Sequence, residues 1–339
     1  MSSRGADTSV RPYKDSVMVQ CELCPKGCVI EEGGRGNCRV RVNIDGKLRA
    51  VTYGRPCSIH IDPIEKKPFF HFLPGTNALS VACAGCNLHC KNCQNWEISQ
   101  SLPEDIEAYR VSPQELAAMA LKEKTPSIAY TYGDPIAFYE YTLDTSRLSQ
   151  PQGTHNVLVT SGYIRPEPMR TMLKTVDAVK LDFKFFDDAL YRQICDAALE
   201  PVLATMRLVK DSGVWLEIVH LLIPTLNDSP AQVKAFCGWI ADNLGSDVPL
   251  HFSRFYPHYL LKNLPETPAE TLLAARAIAI KAGLHYVYVG NIYSGDWENT
   301  YCPQDKTLLI KRTGYLVAEN HLKDGKCPSC GQAIPGVWK

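Results

Sequence analysis

Apolar runs rich in β-branched and aromatic residues recur along the middle of the chain, at 79–84, 128–132, 157–160, 178–183, 215–223, 250–255 and 286–289. Most are separated by stretches with helical character. Ser112-Pro113-Gln114-Glu115, Ser229-Pro230-Ala231-Gln232 and Thr267-Pro268-Ala269-Glu270 share one start signal. Each sets a hydroxyl at the N-cap, Pro at the first helical position and Glu or Gln at the third, the pattern of a capping box. After the second, Val233, Phe236, Cys237, Ile240 and Leu244 form an i, i+3, i+4, i+7 stripe suited to packing on a sheet. Repeated strand–helix units with short connections predict a parallel sheet. Six or seven such units over residues 76–295 suit a TIM-type (β/α) barrel, complete or partial, better than a six-stranded open sheet. In either arrangement the chemistry belongs at the C-terminal ends of the strands.

Two further zones flank this α/β region. Residues 15–75 read as an N-terminal Cys-rich module with short turn-rich strands, ending in a Pro- and Phe-rich stretch. Residues 296–339 read as a zinc-ribbon-like C-terminal hairpin. The chain has 339 residues, 45% of them hydrophobic and 21% charged, enough to bury a large core. Lys+Arg and Asp+Glu both number 36, so no global basic field advertises a nucleic-acid or membrane partner. No apolar run reaches the roughly 18 to 20 residues of a membrane span. Residues 1–14 are polar, without the apolar stretch of a secretory signal, and read as a frayed leader; a cytoplasmic protein is the expectation.

Cysteines change the picture. Of 14, ten fall into three groups: Cys21/Cys24/Cys28/Cys38, Cys86/Cys90/Cys93 and Cys302/Cys327/Cys330. Such tight spacings suit metal chelation better than a disulfide framework. Cys57, Cys83, Cys195 and Cys237 are scattered and read as small buried hydrophobes. Cys86, Cys90 and Cys93 directly follow the first strand of the α/β region, and three thiolates within eight residues converge on one centre. On a cubane cluster they leave one iron open.

The spacing C-x3-C-x2-C after a first barrel strand resembles the signature of the radical S-adenosylmethionine (SAM) superfamily. A longer set of segments is similar to the AmmeMemoRadiSam radical SAM proteins, relatives of the activases of pyruvate formate-lyase and other glycyl radical enzymes. The segments are Asp62-Pro-Ile-Glu-Lys-Lys-Pro68, His71-Phe-Leu-Pro-Gly75, Cys93-Gln-Asn-Trp-Glu-Ile-Ser99, Tyr130-Thr-Tyr, Val159-Thr-Ser-Gly-Tyr163, Lys180-Leu-Asp-Phe-Lys184, His251-Phe-Ser-Arg-Phe255 and Glu298-Asn-Thr-Tyr-Cys302. The resemblance implies a [4Fe–4S] cluster on Cys86, Cys90 and Cys93, with SAM chelating the open iron. It also implies reductive cleavage of SAM to a 5′-deoxyadenosyl radical, an oxidoreductase-type activity that abstracts hydrogen from a protein, peptide or small-molecule substrate. Implied partners are a low-potential electron donor (flavodoxin or ferredoxin) and Memo- and AMMECR-type proteins.

Site residues follow by position. Tyr132, Gly133 and Asp134 occupy the place of the motif that holds the SAM amino group, where the family usually has Asn-Glu instead of Gly133-Asp134. Thr160 and Ser161 end the third strand, where activases contact the SAM methionyl portion or ribose. Asp182 and Lys184 stand where activases support the SAM carboxylate, and strand alternation puts both on one face. Asn92 replaces a usual aromatic before the third cysteine. His220, His251 and Arg254 are polar groups in the fifth and sixth strands, read equally as SAM or substrate contacts and as structural groups. Glu217, three residues before His220, falls on the opposite face of an ideal strand and is the weaker candidate.

Cys21, Cys24, Cys28 and Cys38 supply enough thiolates to saturate a zinc ion or an iron–sulfur cluster, and the residues do not choose between them. Cys302, Asp305, Cys327 and Cys330 resemble the two knuckles of a zinc ribbon in which Asp305 stands for the family's second cysteine; zinc accepts carboxylate oxygen, and a metal-free hairpin is the alternative reading. The competing reading of the whole chain is a zinc-ribbon scaffold or RNA-binding protein with a vestigial barrel.

Overall fold

A computed structural model describes residues 17–292 and 295–339; the leader expected at 1–14 lies outside them. An eight-stranded sheet dominates it. Its strands are β5 (Ser58–Pro63), β6 (Asn77–Ala82), β7 (Ser127–Tyr130), β8 (His155–Thr160), β9 (Ala178–Phe183), β10 (Trp215–Leu222), β11 (Leu250–Arg254) and β12 (Val287–Gly290). They stand side by side in chain order; β6 to β12 run parallel, and β5 is antiparallel to β6. The sheet is open, with β5 and β12 as edges and no ladder joining them among the described residues. Before it come β1 (Val19–Gln20), β2 (Val29–Ile30) and the hairpin of β3 (Arg41–Ile44) and β4 (Lys47–Ala50). After it, β13 (Thr300–Tyr301), β14 (Leu308–Thr313) and β15 (Leu316–Asn320) form an antiparallel sheet, one strand more than the expected hairpin.

The helices are α1 (Trp96–Ser99), α2 (Pro113–Lys122), α3 (Tyr139–Ser149), α4 (Pro166–Met172), α5 (Asp188–Cys195), α6 (Leu199–Ser212), α7 (Pro230–Leu244) and α8 (Ala269–Lys281). None is long and apolar enough to cross a membrane. The start signals work to different degrees. At α2 the capping box is complete, with Glu115 N–H donating to Ser112 Oγ at 3.2 Å and Ser112 N–H to Glu115 Oε2 at 2.7 Å. At α7 Ser229 caps Gln232 N–H at 3.3 Å. At α8 the expected cap fails. The buried Thr267 hydroxyl instead donates to Leu222 O at 2.6 Å and accepts from Phe255 N–H at 3.1 Å, tying β10 to the end of β11.

The two faces of the sheet bury different cores. Leu79, Ile128, Leu158, Leu181, Ile218 and Phe252 pack against the helices, including the α7 stripe of Val233, Phe236, Cys237, Ile240 and Leu244. On the other face, Ala78, Ala129, Val157 and Ala178 pack against Ile64, Phe69 and Phe72. Small strand residues leave room there for the 64–73 segment. The boundary expected at 75 is therefore corrected: β5 belongs to the sheet and the segment after it to the core. Glu217 anchors this segment, accepting from Phe70 N–H at 3.0 Å, His71 N–H at 2.8 Å, Trp215 Nε1 at 3.0 Å and His251 Nε2 at 2.7 Å. The C-terminal sheet locks on through Arg312, which donates to Phe70 O at 2.7 Å and covers the Phe70 ring at 4.2 Å.

Candidate active site

The loop after β6 turns sharply because Gly85 and Gly133 permit it. A Cβ on Gly85, at φ +90°, would lie 2.4 Å from Val40 Cγ2 and 2.8 Å from Cys38 O. One on Gly133 would meet Cys83 O at 2.8 Å. The N-terminal module and the end of β7 thus press directly on the cysteine loop. Backbone bonds fix it from a third side: His89 N–H donates to Cys195 O at 3.1 Å and Lys91 N–H to Ile194 O at 2.9 Å, at the end of α5. Cys195, expected as a small buried thiol, is fully buried here at the end of α5.

Cys86, Cys90 and Cys93 all line one cavity of about 420 Å³ at the C-terminal ends of the strands. Its walls include Asn92, Tyr132, Gly133, Asp134, Ser161, Lys180, Asp182 and Lys184. Leu88 N–H points to Cys86 Sγ at 3.4 Å, and Ser99 Oγ lies 3.1 Å from Cys93 Sγ. Burial, reinforced by Asp134, Cys90 and Cys93, pushes the Cys86 thiol up; a bound metal would offset that penalty on the thiolate. Asn92 Oδ1 is buried without a protein hydrogen-bond partner, an acceptor available to a donor in the cavity. These features fit an iron–sulfur cluster on the three sulfurs with a polar ligand beside it.

Beside the sulfurs, Lys180, Asp182 and Lys184 alternate down β9 and face the cavity together. Lys180 Nζ sits 2.5 Å from Asp182 Oδ1, and Lys184 Nζ lies 4.0 Å from Oδ2. Burial opposes the Lys184 ammonium, but Asp182 and the sulfurs of Cys90, Cys195 and Cys93 outweigh it and hold its pKa above the usual lysine value. Asp134 is placed differently from expectation. Its Oδ1 accepts from Thr160 Oγ1 at 2.8 Å and Ile136 N–H at 3.1 Å, and its Oδ2 from Ser161 N–H at 2.8 Å and Ser161 Oγ at 2.5 Å. Four donors fill the carboxylate, so Asp134 braces the end of β8 and has no lone pair left for an ammonium.

Three expected site residues do not line the cavity, the first being Thr160, buried at the end of β8 with its hydroxyl on Asp134. His220 lies on the helix face among Phe183, Phe236 and Phe252, with Nδ1 3.3 Å from Phe183 O. Arg254 points to the rim, donating to Thr267 O and Glu266 at 2.7 Å and covering Tyr256. His251 does line the cavity, hydrogen-bonded to the Glu217 that ideal alternation had set aside.

Sequence reasoning also left Lys180, Lys67 and Tyr288 unassigned, all on the wall. Lys67 and Tyr132 share Asp62, at 2.9 Å from Nζ and 2.5 Å from the hydroxyl; burial lowers the Lys67 pKa to about 8 against the pull of Asp62. The run 62–68 carried this signal only as a resemblance.

Outside the cavity, Cys302, Asp305, Cys327 and Cys330 converge, their donor atoms all within 4.8 Å of one another, with Cys302 Sγ 3.6 Å from Cys330 Sγ. That set fits one tetrahedral ion: Zn–S bonds of about 2.3 Å place sulfurs about 3.8 Å apart.

A sequence model of the family described as the Radical SAM superfamily matches residues 81–237. The chain is 44% identical over 322 residues to an uncharacterized protein of Methanocaldococcus jannaschii, covering 94% of this chain and 96% of that one. It is 26% identical over 170 residues to the pyruvate formate-lyase-activating enzyme of Clostridium pasteurianum, covering 48% of this chain and 68% of the enzyme. Among solved structures, a radical SAM methyltransferase from Sphaerobacter thermophilus shares the fold at a TM-score of 0.50 and 17% identity, over 65% of this chain and 67% of that one.

Proposed function

The chain belongs to the radical SAM superfamily, and on that premise we propose that it cleaves SAM reductively and abstracts hydrogen from a substrate held in the same cavity. The observation that carries this reading is the convergence of Cys86, Cys90 and Cys93 on a cavity that Asn92, Asp182 and Lys184 also line. When bound there, a [4Fe–4S] cluster and SAM supply a one-electron cleavage and a 5′-deoxyadenosyl radical.

The chain's own residues hold, orient and shield. Lys184 pairs with the SAM carboxylate, and Asp182 keeps both neighbouring lysines in place. Asn92 Oδ1 accepts from the adenine amino group. Asp134 keeps Ser161 at the cavity wall, with Thr160 bound behind it. Tyr259 stacks on Trp96 at 5.2 Å and Leu260 N–H donates to Lys91 O at 2.9 Å, so the 256–261 loop covers the outer side of the cysteine loop and limits water entry. Lys67, Lys180, His251 and Tyr288 line the deeper wall and meet a polar substrate group.

The motif resemblance extends the reading to an AmmeMemoRadiSam-type enzyme of the cytoplasm. It takes electrons from a flavodoxin or ferredoxin and works with Memo- and AMMECR-type proteins on a protein, peptide or small molecule. The C-terminal Cys302/Asp305/Cys327/Cys330 set holds zinc. A scaffold or RNA-binding protein has no use for three cysteines on an internal cavity. The test is anaerobic reconstitution with iron and sulfide, reduction, and chromatography for 5′-deoxyadenosine. Its formation by wild type and its loss in Cys90→Ala are expected; formation at equal rates by both contradicts the proposal.

A further inference from the structure

Four cysteines stand apart from this chemistry. Cys21 and Cys24 lie between β1 and β2, Cys28 just before β2 and Cys38 before β3, and all four line one small cavity of about 20 Å³ with Arg41 and Asn87. All are free thiols. Asn37 N–H points to Cys28 Sγ at 3.4 Å. Four sulfurs gathered on one cavity match the donor set of a thiolate-bound metal centre. Two cations also line the cavity, each already paired: Arg41 with Glu140 at 2.7 Å and Lys26 with Asp196 at 2.6 Å.

The spacing of the sulfurs chooses between a single ion and a cluster. A tetrahedral zinc holds its sulfurs about 3.8 Å apart. The C-terminal set has that geometry, and among the described residues it is the group of three or more donors that lies within 4.8 Å. No three sulfurs of the N-terminal quartet meet that limit, and neither does the central trio. On a cubane each thiolate binds a different iron at its own corner, so its sulfurs stand wider apart than on one ion. The quartet shares the wider arrangement with Cys86, Cys90 and Cys93.

We propose that Cys21, Cys24, Cys28 and Cys38 hold a second [4Fe–4S] cluster, with a thiolate on every iron. Saturated in this way, it cannot take SAM. Asn87 joins the two centres: it follows Cys86 in the chain, lines the quartet's cavity, and donates to Tyr163 O at 2.7 Å.

The test leaves the quartet intact. The full chain carrying Cys86→Ala, Cys90→Ala and Cys93→Ala is reconstituted anaerobically and analysed for iron, acid-labile sulfide and zinc. About four iron and four sulfide per chain are expected. The reduced protein is expected to give an electron paramagnetic resonance (EPR) signal that added SAM does not change. Adding Cys24→Ser and Cys38→Ser removes iron, sulfide and signal together. A triple variant without sulfide, holding zinc at the quartet or no metal there, overturns the proposal. The central reading fails separately: wild type would then keep only the SAM-insensitive cluster.

Discussion

Asp134 and Ser161 are joined twice, the Ser161 N–H and Oγ donating to the same carboxylate oxygen at 2.8 and 2.5 Å. This pair holds the end of β8 against the turn after β7, where Tyr132 takes φ +64°. Asp134→Asn puts an amide where an acceptor is needed and frees the 160–162 turn. Charge-assisted hydrogen bonds contribute about 1.5 to 3 kcal/mol, so SAM affinity falls about ten- to a hundredfold while iron content holds. Ser161→Ala keeps the backbone bond and loses less. Equilibrium SAM binding to both variants checks the order; equal and unchanged affinities refute the bracing role.

Lys184 acts directly in this account. Lys184→Met keeps the aliphatic stem and removes the ammonium beside Asp182 and the Cys90 sulfur. SAM binding weakens about tenfold or more, and the loss shrinks at high ionic strength only slightly because the site is buried. An affinity within twofold of wild type would show that SAM's carboxylate is held elsewhere.

His220 gives a pH signature. Burial lowers its pKa from 6.5 to about 4, ahead of the raising effect of the Phe183 carbonyl. The native state keeps it neutral while the unfolded chain protonates below 6.5. Its contribution is therefore fully present above pH 6.5 and is lost as pH falls toward 4. His71, buried and also lowered to about 4, behaves alike. Urea unfolding across that window shows wild type losing stability. His220→Leu loses less, by on the order of 3 kcal/mol, with SAM affinity unchanged. A weakened SAM affinity would return His220 to the site.

Glu217 is the buried anchor of the 64–73 segment. Glu217→Ala leaves Phe70 N–H, His71 N–H and His251 without their acceptor, and breaking a buried pair on one side costs about 3 to 5 kcal/mol. Chemical denaturation at pH 7 reads this directly. A loss below about 1 kcal/mol would mean that solvent replaces the carboxylate there.

The parallel strands were legible because burial on both faces writes continuous apolar runs. β5 was not: Ser58-Ile-His-Ile-Asp-Pro is an antiparallel edge with exposed His60 and Ile61, so its pattern is diluted. Alternation brought Asp182 and Lys184 to one face, and would have added Lys180 at no further cost in assumptions. The parity of β10 was misread, because a strand alone does not say which face is the site. The register does: Glu217 pairs with Lys180, so Glu217 shares the cavity face and His220 the helix face. The saturation of Asp134 was beyond sequence, since its donors on β8 lie 26 and 27 positions away.

The central claim is that Cys86, Cys90 and Cys93 hold a cluster with one iron open to SAM. EPR of the reduced, anaerobically prepared protein, with and without SAM, tests it most directly. The account predicts a wild-type signal that SAM perturbs, and loss of that SAM-perturbed component when all three cysteines become Ala. A SAM-perturbed signal that survives in the triple variant would contradict it.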